Sequence, residues 1–162
     1  MLFCFTTIFN IFVILIICMA KELFSEYSHL LDQTARRVKQ YAQKQFNSLS
    51  FGITIDQWLV MKNLHNQNDL NQSELAELTG KDNPTLTRII DLLCKKELTE
   101  RRVHPNDRRS YTIHLTQLGE DRVAELSPMI SKIRRKAWEN LTEEDYESLK
   151  RILNTIYSNL KI

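Results

Sequence analysis

Glycine and proline are scarce in this chain, with three of each among 162 residues. This scarcity excludes collagen-like and linker sequence. It also argues against a sheet-rich fold, because many strands need many turns. Hydrophobic residues at 43% and charged residues at 26% exclude a disordered chain. We therefore expect a compact, mostly helical protein with a single core.

Clustered cysteine and histidine are also missing. Cys4, Cys18 and Cys94 form no ligand cluster and no paired framework. The four histidines lie far apart in the sequence and show no metal-ligand spacing. No glycine-rich phosphate loop or recognisable pair of nucleophile and base occurs. These absences predict a protein that is not an enzyme and that uses no metal or cofactor.

A large excess of charge of one sign is absent as well, since 22 Lys and Arg residues face 20 Asp and Glu residues. This near-balance argues against a chain that binds polyanions by bulk charge alone. Residues 95–109 nevertheless hold six basic and three acidic residues, so the excess charge lies in one local patch. Such a patch is typical of a sequence-reading nucleic-acid binder, and the alternative is a solvated, charged hairpin.

The first 20 residues contain no charged residue, and 17 of them are apolar. A helix of this length spans about 30 Å, enough to cross a bilayer. Residues 1–18 would then anchor a cytoplasmic domain in the inner membrane. The alternative is a true start at Met19, with the preceding residues being upstream sequence read in frame. We favour the start at Met19 and a cytoplasmic protein, for which the membrane is a partner only if residues 1–20 are translated.

The remaining pattern predicts helices arranged around one hairpin. Apolar residues recur at helical spacing over residues 21–47, which predicts a long first helix. Two shorter helices are expected to begin at capping pairs, Thr54 with Gln57 and Asn71 with Glu74.

The fourth helix is expected from Pro84 to about Lys96, with Asn83 as its N-cap. Its apolar side chains share one face, and small, polar and basic residues occupy the opposite face and its flanks. Such a helix packs on its neighbours and presents side chains to a groove. The polar side carries Pro84, Thr85, Thr87, Arg88, Asp91 and Lys95.

Strand-like alternation appears over residues 98–115. Its two halves are expected to pair across a turn at 105–107, which makes a hairpin with a basic tip. The predicted fold class is therefore mainly α with a small β-hairpin wing (α+β), in a winged helix-turn-helix arrangement.

Two more helices are expected after the hairpin. Thr116 caps a segment that runs to about Asn140, with a kink or a break at Pro128. The last helix is capped by Thr142 together with Asp145.

Four short motifs follow one another along the chain: Gln72-Ser-Glu-Leu-Ala, Pro84-Thr-Leu-Thr-Arg, Asp107-Arg-Arg and Leu115-Thr-Gln-Leu-Gly119. In this order they resemble the MarR-type family of bacterial transcriptional regulators. The resemblance covers roughly residues 21–160. One departure is Glu97, where the family usually has a glycine that ends the recognition helix in a left-handed cap. Glutamate there costs roughly 1 kcal/mol or forces another ending.

The resemblance implies a winged helix-turn-helix domain at 54–116 and dimerisation helices at 21–53 and 117–162. An excess of apolar residues in the first and last helices agrees with a homodimer, although these helices could also pack on each other within one chain. Two subunits would place their recognition helices in successive major grooves, about 34 Å apart, on a palindromic operator. The candidate interface residues are Phe24, Leu31, Leu149, Ile152, Leu153, Ile156 and Leu160.

Double-stranded DNA is the partner that the resemblance implies. Thr85, Thr87 and Arg88 are candidates for the major groove, because arginine can read guanine through two hydrogen bonds. The alternative for Arg88 is an ion pair with Asp91 or Asp82. The complete candidate set is Ser73, Pro84, Thr85, Thr87, Arg88, Arg101, Arg102, Asp107, Arg108 and Arg109.

Some residues in that set are expected to do something other than read bases. Ser73 is expected to hold a phosphate at the start of its helix. Arg109 resembles the wing arginine of the family, which enters the minor groove, and Asp107 is expected to hold it in place. The other wing arginines are expected to contact phosphates or solvent.

The resemblance also implies a repressor that a small aromatic or anionic effector releases from DNA. Tyr27, Trp58, Met61 and Tyr111 are candidates for the effector crevice, although each also suits a core position. Redox gating through the thiol of Cys94 is an alternative, which burial of that thiol would argue against. A rival of another class is a membrane-tethered or protein-interaction winged helix without specific DNA binding.

Overall fold

A computed structural model describes residues 2–67, 70–104 and 107–160, with side chains over 24–67, 70–103 and 110–160. The chain divides into two compact units, residues 1–44 and 45–162, and each is described by itself. The division falls inside the predicted dimerisation helix at 21–53, so the domain boundaries stay a prediction.

The first helix, α1, runs from Leu2 to Ser48 and is therefore much longer than the predicted helix at 21–47. In the first unit its large apolar side chains from residue 24 onward are exposed. The side chains of the apolar segment 1–20 lie outside the described residues. Over the residues whose side chains are described, no helical segment is long and apolar enough to cross a membrane. The exposed apolar residues are Phe24, Tyr27, Leu30, Leu31, Val38 and Tyr41.

Helices α2 (Ile55–Asn66) and α3 (Gln72–Thr79) begin at the predicted capping boxes. The backbone N–H of Gln57 donates to Oγ1 of Thr54 at 3.2 Å, and the N–H of Thr54 donates to the side-chain oxygen of Gln57 at 3.1 Å. An equivalent reciprocal pair joins Asn71 and Glu74, at 3.0 and 2.8 Å. Gly80 ends α3 in the left-handed conformation, at φ 61°.

Helix α4 runs from Asn83 to Lys95, and its N-cap is Asp82. The predicted N-cap, Asn83, is wrong by one residue. The reason is that the Asp82 carboxylate reaches the backbone N–H of Thr85, whereas Asn83 already belongs to the helix.

The sheet contains three antiparallel strands in the order β1-β3-β2. The predicted hairpin is confirmed, with Thr99 of β2 opposite Leu115 of β3 and Arg102 opposite Thr112. The strand β1 was not predicted, because two residues are too few to show a period. The strands are β1 (Leu70–Asn71), β2 (Thr99–His104) and β3 (Asp107–Leu115).

Helix α5 runs from Gln117 to Arg135 and is capped by Thr116 as predicted. It continues through Pro128 and ends at Arg135, so the break expected as one alternative at Pro128 and the end expected near Asn140 are wrong, and the alternative of a kink stays a prediction. A 3₁₀ turn at Lys136–Trp138 follows, and then α6 from Glu143 to Asn159. The loss of one backbone hydrogen bond at proline is tolerated here because the buried side of α5 packs along the core.

The core of the second unit lies between α2, α3, α4, α5 and the sheet. Its buried apolar side chains come from every one of these elements, which fixes the helices against one another. The largest fully buried side chains are Phe46, Met61, Leu75, Leu86, Ile90, Leu93, Ile113 and Leu126.

Helix α4 is followed by Glu97, which adopts the left-handed conformation at φ 59°. The N–H of Leu98 donates to the carbonyl of Leu93 at 3.0 Å, and the N–H of Glu97 donates to that of Cys94 at 2.9 Å. This is the hydrogen-bond pattern of a Schellman cap, in which glycine is the usual residue. The sequence left two outcomes open, a strained left-handed glutamate or a different helix ending. The structure shows the first, so Glu97 adopts the conformation that is unfavourable for a residue with a Cβ atom.

The last residue of the motif Leu115-Thr-Gln-Leu-Gly119 must be a glycine because another part of the backbone lies against it. A Cβ atom at this position would lie 2.1 Å from the carbonyl oxygen of Leu98, which is too close for any side chain. The adjacent carbonyl, that of Glu97, accepts a hydrogen bond from the Thr116 hydroxyl at 2.5 Å. Helix α5 is thus seated directly on the chain that leaves the recognition helix.

Replacing Glu97 by glycine should stabilise the protein. Relief of the left-handed strain is partly offset by the greater freedom of glycine in the unfolded chain, so we expect a gain of up to about 1 kcal/mol in the free energy of unfolding. Urea denaturation of Glu97→Gly measures this gain. Glu97→Ala removes the carboxylate but keeps Cβ, so an equal gain in that variant would contradict the backbone explanation.

Candidate nucleic-acid interface

Helix α4 has the two faces that the sequence predicted. Leu86, Ile90 and Leu93 are fully buried, and Ile89 is nearly so. Pro84, Thr85 and Arg88 are exposed on the other side of the helix. The packed face holds the helix in place, and the polar face is available to a ligand.

Asp82 organises the first turn of α4. Its carboxylate accepts the backbone N–H of Thr85 at 2.7 Å and the hydroxyl of Thr85 at 2.9 Å. These hydrogen bonds hold the pKa of the Asp82 carboxyl below its usual range, the backbone bond being the larger cause. With its proton directed at Asp82, the Thr85 hydroxyl oxygen is left to accept a hydrogen bond from outside.

The Thr87 hydroxyl links α3 to α4 through hydrogen bonds. Its hydroxyl donates to the carbonyl of Asn83 at 2.8 Å and accepts from the side-chain amide of Gln72 at 2.7 Å. Sequence reasoning missed Gln72, which lies 15 residues away. This hydroxyl fixes the angle between the two helices, and only the remainder of the half-buried side chain faces outward.

Arg88 is exposed and makes no hydrogen bond or ion pair within the residues that the structure describes. Both alternative partners are engaged elsewhere. Asp82 caps the helix, and Asp91 pairs with Arg101 of β2 at 2.6 Å. The guanidinium of Arg88 therefore has no partner among the side chains that the structure describes.

The structure describes the remaining candidates for DNA contact to different extents. Arg101 is tied to Asp91, and Arg102 pairs with Glu100 at 2.5 Å. Ser73 is exposed in the first turn of α3. The backbone of Asp107, Arg108 and Arg109 belongs to β3, and their side chains lie outside the described residues.

The four candidates for an effector crevice do not share one environment. Trp58 and Met61 are buried in the core of the second unit, 2% and 0% exposed, and present no surface to a ligand. Tyr111 is half-exposed on β3. Tyr27 is exposed in the first unit.

Cys94 is half-buried near the end of α4. Its sulfur lies 3.4 Å from the hydroxyl of Thr99. Over the described residues, no group of three or more His, Cys, Asp or Glu side chains is arranged to hold a metal ion.

Helix α3, a tight turn at Gly80, the two-faced helix α4 and the hairpin of β2 and β3 define a winged helix-turn-helix protein. Residues 53–111 match the model of the MarR family. Over this winged helix the chain is therefore similar to the MarR family, as the motifs indicated.

Several solved structures share this fold. S. aureus MepR in complex with DNA is 27% identical, has a TM-score of 0.74, and covers 83% of this chain and 98% of its own. Bordetella bronchiseptica BpsR, whose DNA binding is regulated by 6-hydroxynicotinic acid, is 22% identical with a TM-score of 0.73, over 80% of this chain and 91% of its own. A mutant E. coli MarR with operator DNA is 22% identical with a TM-score of 0.72, over the same shares.

Asp82→Asn tests the cap of the recognition helix. Asparagine keeps a capping oxygen but does not titrate. Because the folded pKa of Asp82 is lowered, its carboxylate stabilises the wild type above the ordinary pKa of about 3.9, and this stabilisation is lost as the pH falls through the folded pKa. We expect the wild-type Tm to exceed that of the variant at pH 7 and the difference to shrink below about pH 4. Thermal unfolding from pH 7 to pH 3 measures it, and a constant difference would contradict the assignment.

Proposed function

We propose that the protein is a sequence-specific DNA-binding repressor, not an enzyme, that acts as a homodimer on a palindromic operator and is released by a small-molecule effector. One observation carries the DNA-binding part: α4 exposes Arg88, which has no partner among the described residues, beside Thr85, while its opposite face is packed into the core. A rigidly held helix with a free guanidinium suits the major groove.

The chemistry of the exposed face supports base reading. Arg88 can donate two hydrogen bonds to O6 and N7 of guanine. The hydroxyl oxygen of Thr85, whose proton goes to Asp82, can accept from the exocyclic amino group of adenine or cytosine. Ser73 and the wing residues Arg108 and Arg109 would add phosphate and minor-groove contacts, with Asp107 holding the wing.

The dimer is supported by the apolar surface of α6. This helix of 17 residues has no buried residue, although Leu149, Ile152, Leu153 and Ile156 share one of its faces, and Leu160 is its C-cap. Ile152 is 44% exposed and Ile156 40% exposed. Phe24 and Leu31 of α1 offer further apolar surface. A second copy that covers these faces would remove them from water and would supply the second recognition helix.

Regulation by an effector and action in the cytoplasm complete the proposal. The DNA binding of BpsR, which shares the fold, is regulated by 6-hydroxynicotinic acid. A repressor released by such a compound must meet both the compound and the chromosome in the same compartment. An effector acts by binding the DNA-free conformation more tightly than the DNA-bound one.

Arg88→Ala should weaken specific DNA binding at least tenfold, because each subunit loses a two-bonded contact to a base. The measurement is fluorescence anisotropy with duplexes from the region upstream of the gene and with scrambled duplexes, at two salt concentrations. Arg134→Ala, which removes another exposed arginine from α5, is the matched control. Equal losses in the two variants, or an equal loss on scrambled DNA, would contradict base reading by Arg88.

Ile156→Glu should convert the dimer to a monomer, because it places a charge in the middle of the apolar face of α6. Sedimentation velocity across a range of concentrations measures the association. Ser158→Glu adds the same charge on the opposite side of the helix and should leave the dimer intact. A wild-type protein that sediments as a monomer at micromolar concentration would overturn the homodimer.

A further inference from the structure

The first residue of helix α4, Asn83, carries a side chain that the fold does not use. Asp82 caps the helix in its place and accepts the backbone N–H of Thr85 at 2.7 Å. An asparagine at the N-cap would use its side-chain oxygen for that bond. Asn83 is instead exposed, and its side-chain amide makes no hydrogen bond within the part of the chain that the structure describes. The amide therefore keeps one acceptor oxygen and two N–H donors for a group outside the protein.

Thr87 lies one helical turn beyond Asn83, on the same side of α4. Its hydroxyl donates to the carbonyl of Asn83 at 2.8 Å and accepts from the side-chain amide of Gln72 at 2.7 Å. A threonine hydroxyl has a single proton, so these bonds occupy its donor and one of its acceptor positions. The methyl group is therefore the part of this half-buried side chain that is left for contact with a ligand.

This side of α4 differs in position and in chemistry from the side that carries Arg88. At 3.6 residues per turn, Arg88 lies about 140° around the helix axis from Asn83, whereas Thr87 lies only about 40° away. A neutral amide beside a methyl group suits a different base from the one that a guanidinium suits. Because the first turns of a recognition helix contact base edges in the major groove, both sides of this helix can meet bases at once.

The donor and acceptor pattern of adenine matches the Asn83 amide. Adenine presents the N7 acceptor beside the N6 amino donor, and an asparagine amide can bond both at the same time. Guanine presents two acceptors, N7 and O6, so the amide oxygen would face another oxygen there. Thymine, the partner of adenine, carries the C5-methyl group that an apolar contact recognises. An A·T pair therefore offers both the polar edge and the methyl group that this side of α4 can read.

We propose that Asn83 and Thr87 read A·T sequence in each half of the operator. The Asn83 amide donates to N7 and accepts from N6 of one adenine, and the Thr87 methyl contacts the methyl of a thymine in that pair or the next one. This assignment rests on the proposed DNA binding and deepens it, because it adds a base pair to the guanine assigned to Arg88.

The first experiment lets the full chain select its site from duplexes with a random centre. The wild type should enrich an A·T pair in each half-site, Asn83→Ala should leave that pair undefined while keeping the guanine, and Arg88→Ala should do the reverse. Asn66→Ala removes an exposed asparagine from the end of α2 and is the matched control, which should select the wild-type sequence. An unchanged selection by Asn83→Ala, or the same change in Asn66→Ala, would overturn the assignment.

The second experiment changes single atoms of the selected duplex. In 7-deazaadenine a C–H replaces N7, so the wild type should bind at least fivefold more weakly, roughly the lower end for one two-bonded base contact. Asn83→Ala should bind the altered and the normal duplex equally. Fluorescence anisotropy measures these affinities, and circular dichroism checks that the variant is folded. A wild type insensitive to 7-deazaadenine, or a variant that is equally sensitive, would contradict the contact.

Uracil in place of thymine tests the methyl contact of Thr87. Loss of one methyl contact should weaken wild-type binding about threefold. Thr87→Ser keeps the hydroxyl, and with it the bonds to Asn83 and Gln72, but lacks the methyl, so it should not distinguish uracil from thymine. An equal loss in the wild type and in Thr87→Ser would show that the methyl is read by another group.

A phosphate contact by Asn83 is the alternative that these measurements separate from base reading. In that case Asn83→Ala would weaken binding to every duplex equally and 7-deazaadenine would have no effect, which overturns the assignment. If the wild type binds no duplex better than a scrambled one, the proposed function fails as well. If specific binding depends on Arg88 but not on Asn83, the proposed function stands and only the A·T assignment falls.

Discussion

The contact of the Leu98 carbonyl with Gly119 is the constraint on which the rest of the winged helix depends. The carbonyl occupies the space that any side chain at position 119 would need. It also accepts the backbone N–H of Thr116 at 3.2 Å, the residue that caps α5. Recognition helix, wing and α5 therefore meet at one point, and a shift of any of them would have to move the other two.

This close junction explains the strained end of α4. The chain must turn sharply after Lys96 to bring Leu98 over Gly119, and the left-handed residue Glu97 makes that turn. The cost of a non-glycine residue there is borne because both hydrogen bonds of the cap are formed. A local penalty of roughly 1 kcal/mol is small beside the burial of the α4 face, where each large apolar side chain contributes about 1.5–3 kcal/mol.

Charge pairing separates the basic residues of the winged helix into two groups. Arg101 and Arg102 are held by Asp91 and Glu100, so their charges are partly neutralised within the protein. Arg88 has no such partner among the described residues, and Lys96 is bonded only to neutral oxygens. Arg88 thus keeps a charge that no other described residue neutralises, whereas Lys96 is held in place by two neutral acceptors.

Much of this could be predicted from the sequence. The capping boxes at Thr54, Asn71 and Thr142 join residues three positions apart, so a local sequence pattern predicts them. The apolar face of α4 follows from the helical spacing of its apolar residues. The ordered motifs were enough to indicate the fold and the family. Helix ends were less certain, as Asp82 and Pro128 show, because packing can move a cap by one residue or carry a helix through a proline.

Only the tertiary structure decided which polar groups meet. Gln72 and Thr87 are 15 residues apart, Asp91 and Arg101 ten, and Gly52 and Lys96 forty-four. No local pattern reports such pairs, since each depends on the distance between elements after they have packed. The sequence by itself therefore determined most of the elements, the two faces of helix α4 and the resemblance to the MarR family. The folded chain alone decided which cations stay unpaired, because a charge is free or engaged only relative to neighbours that packing brings to it.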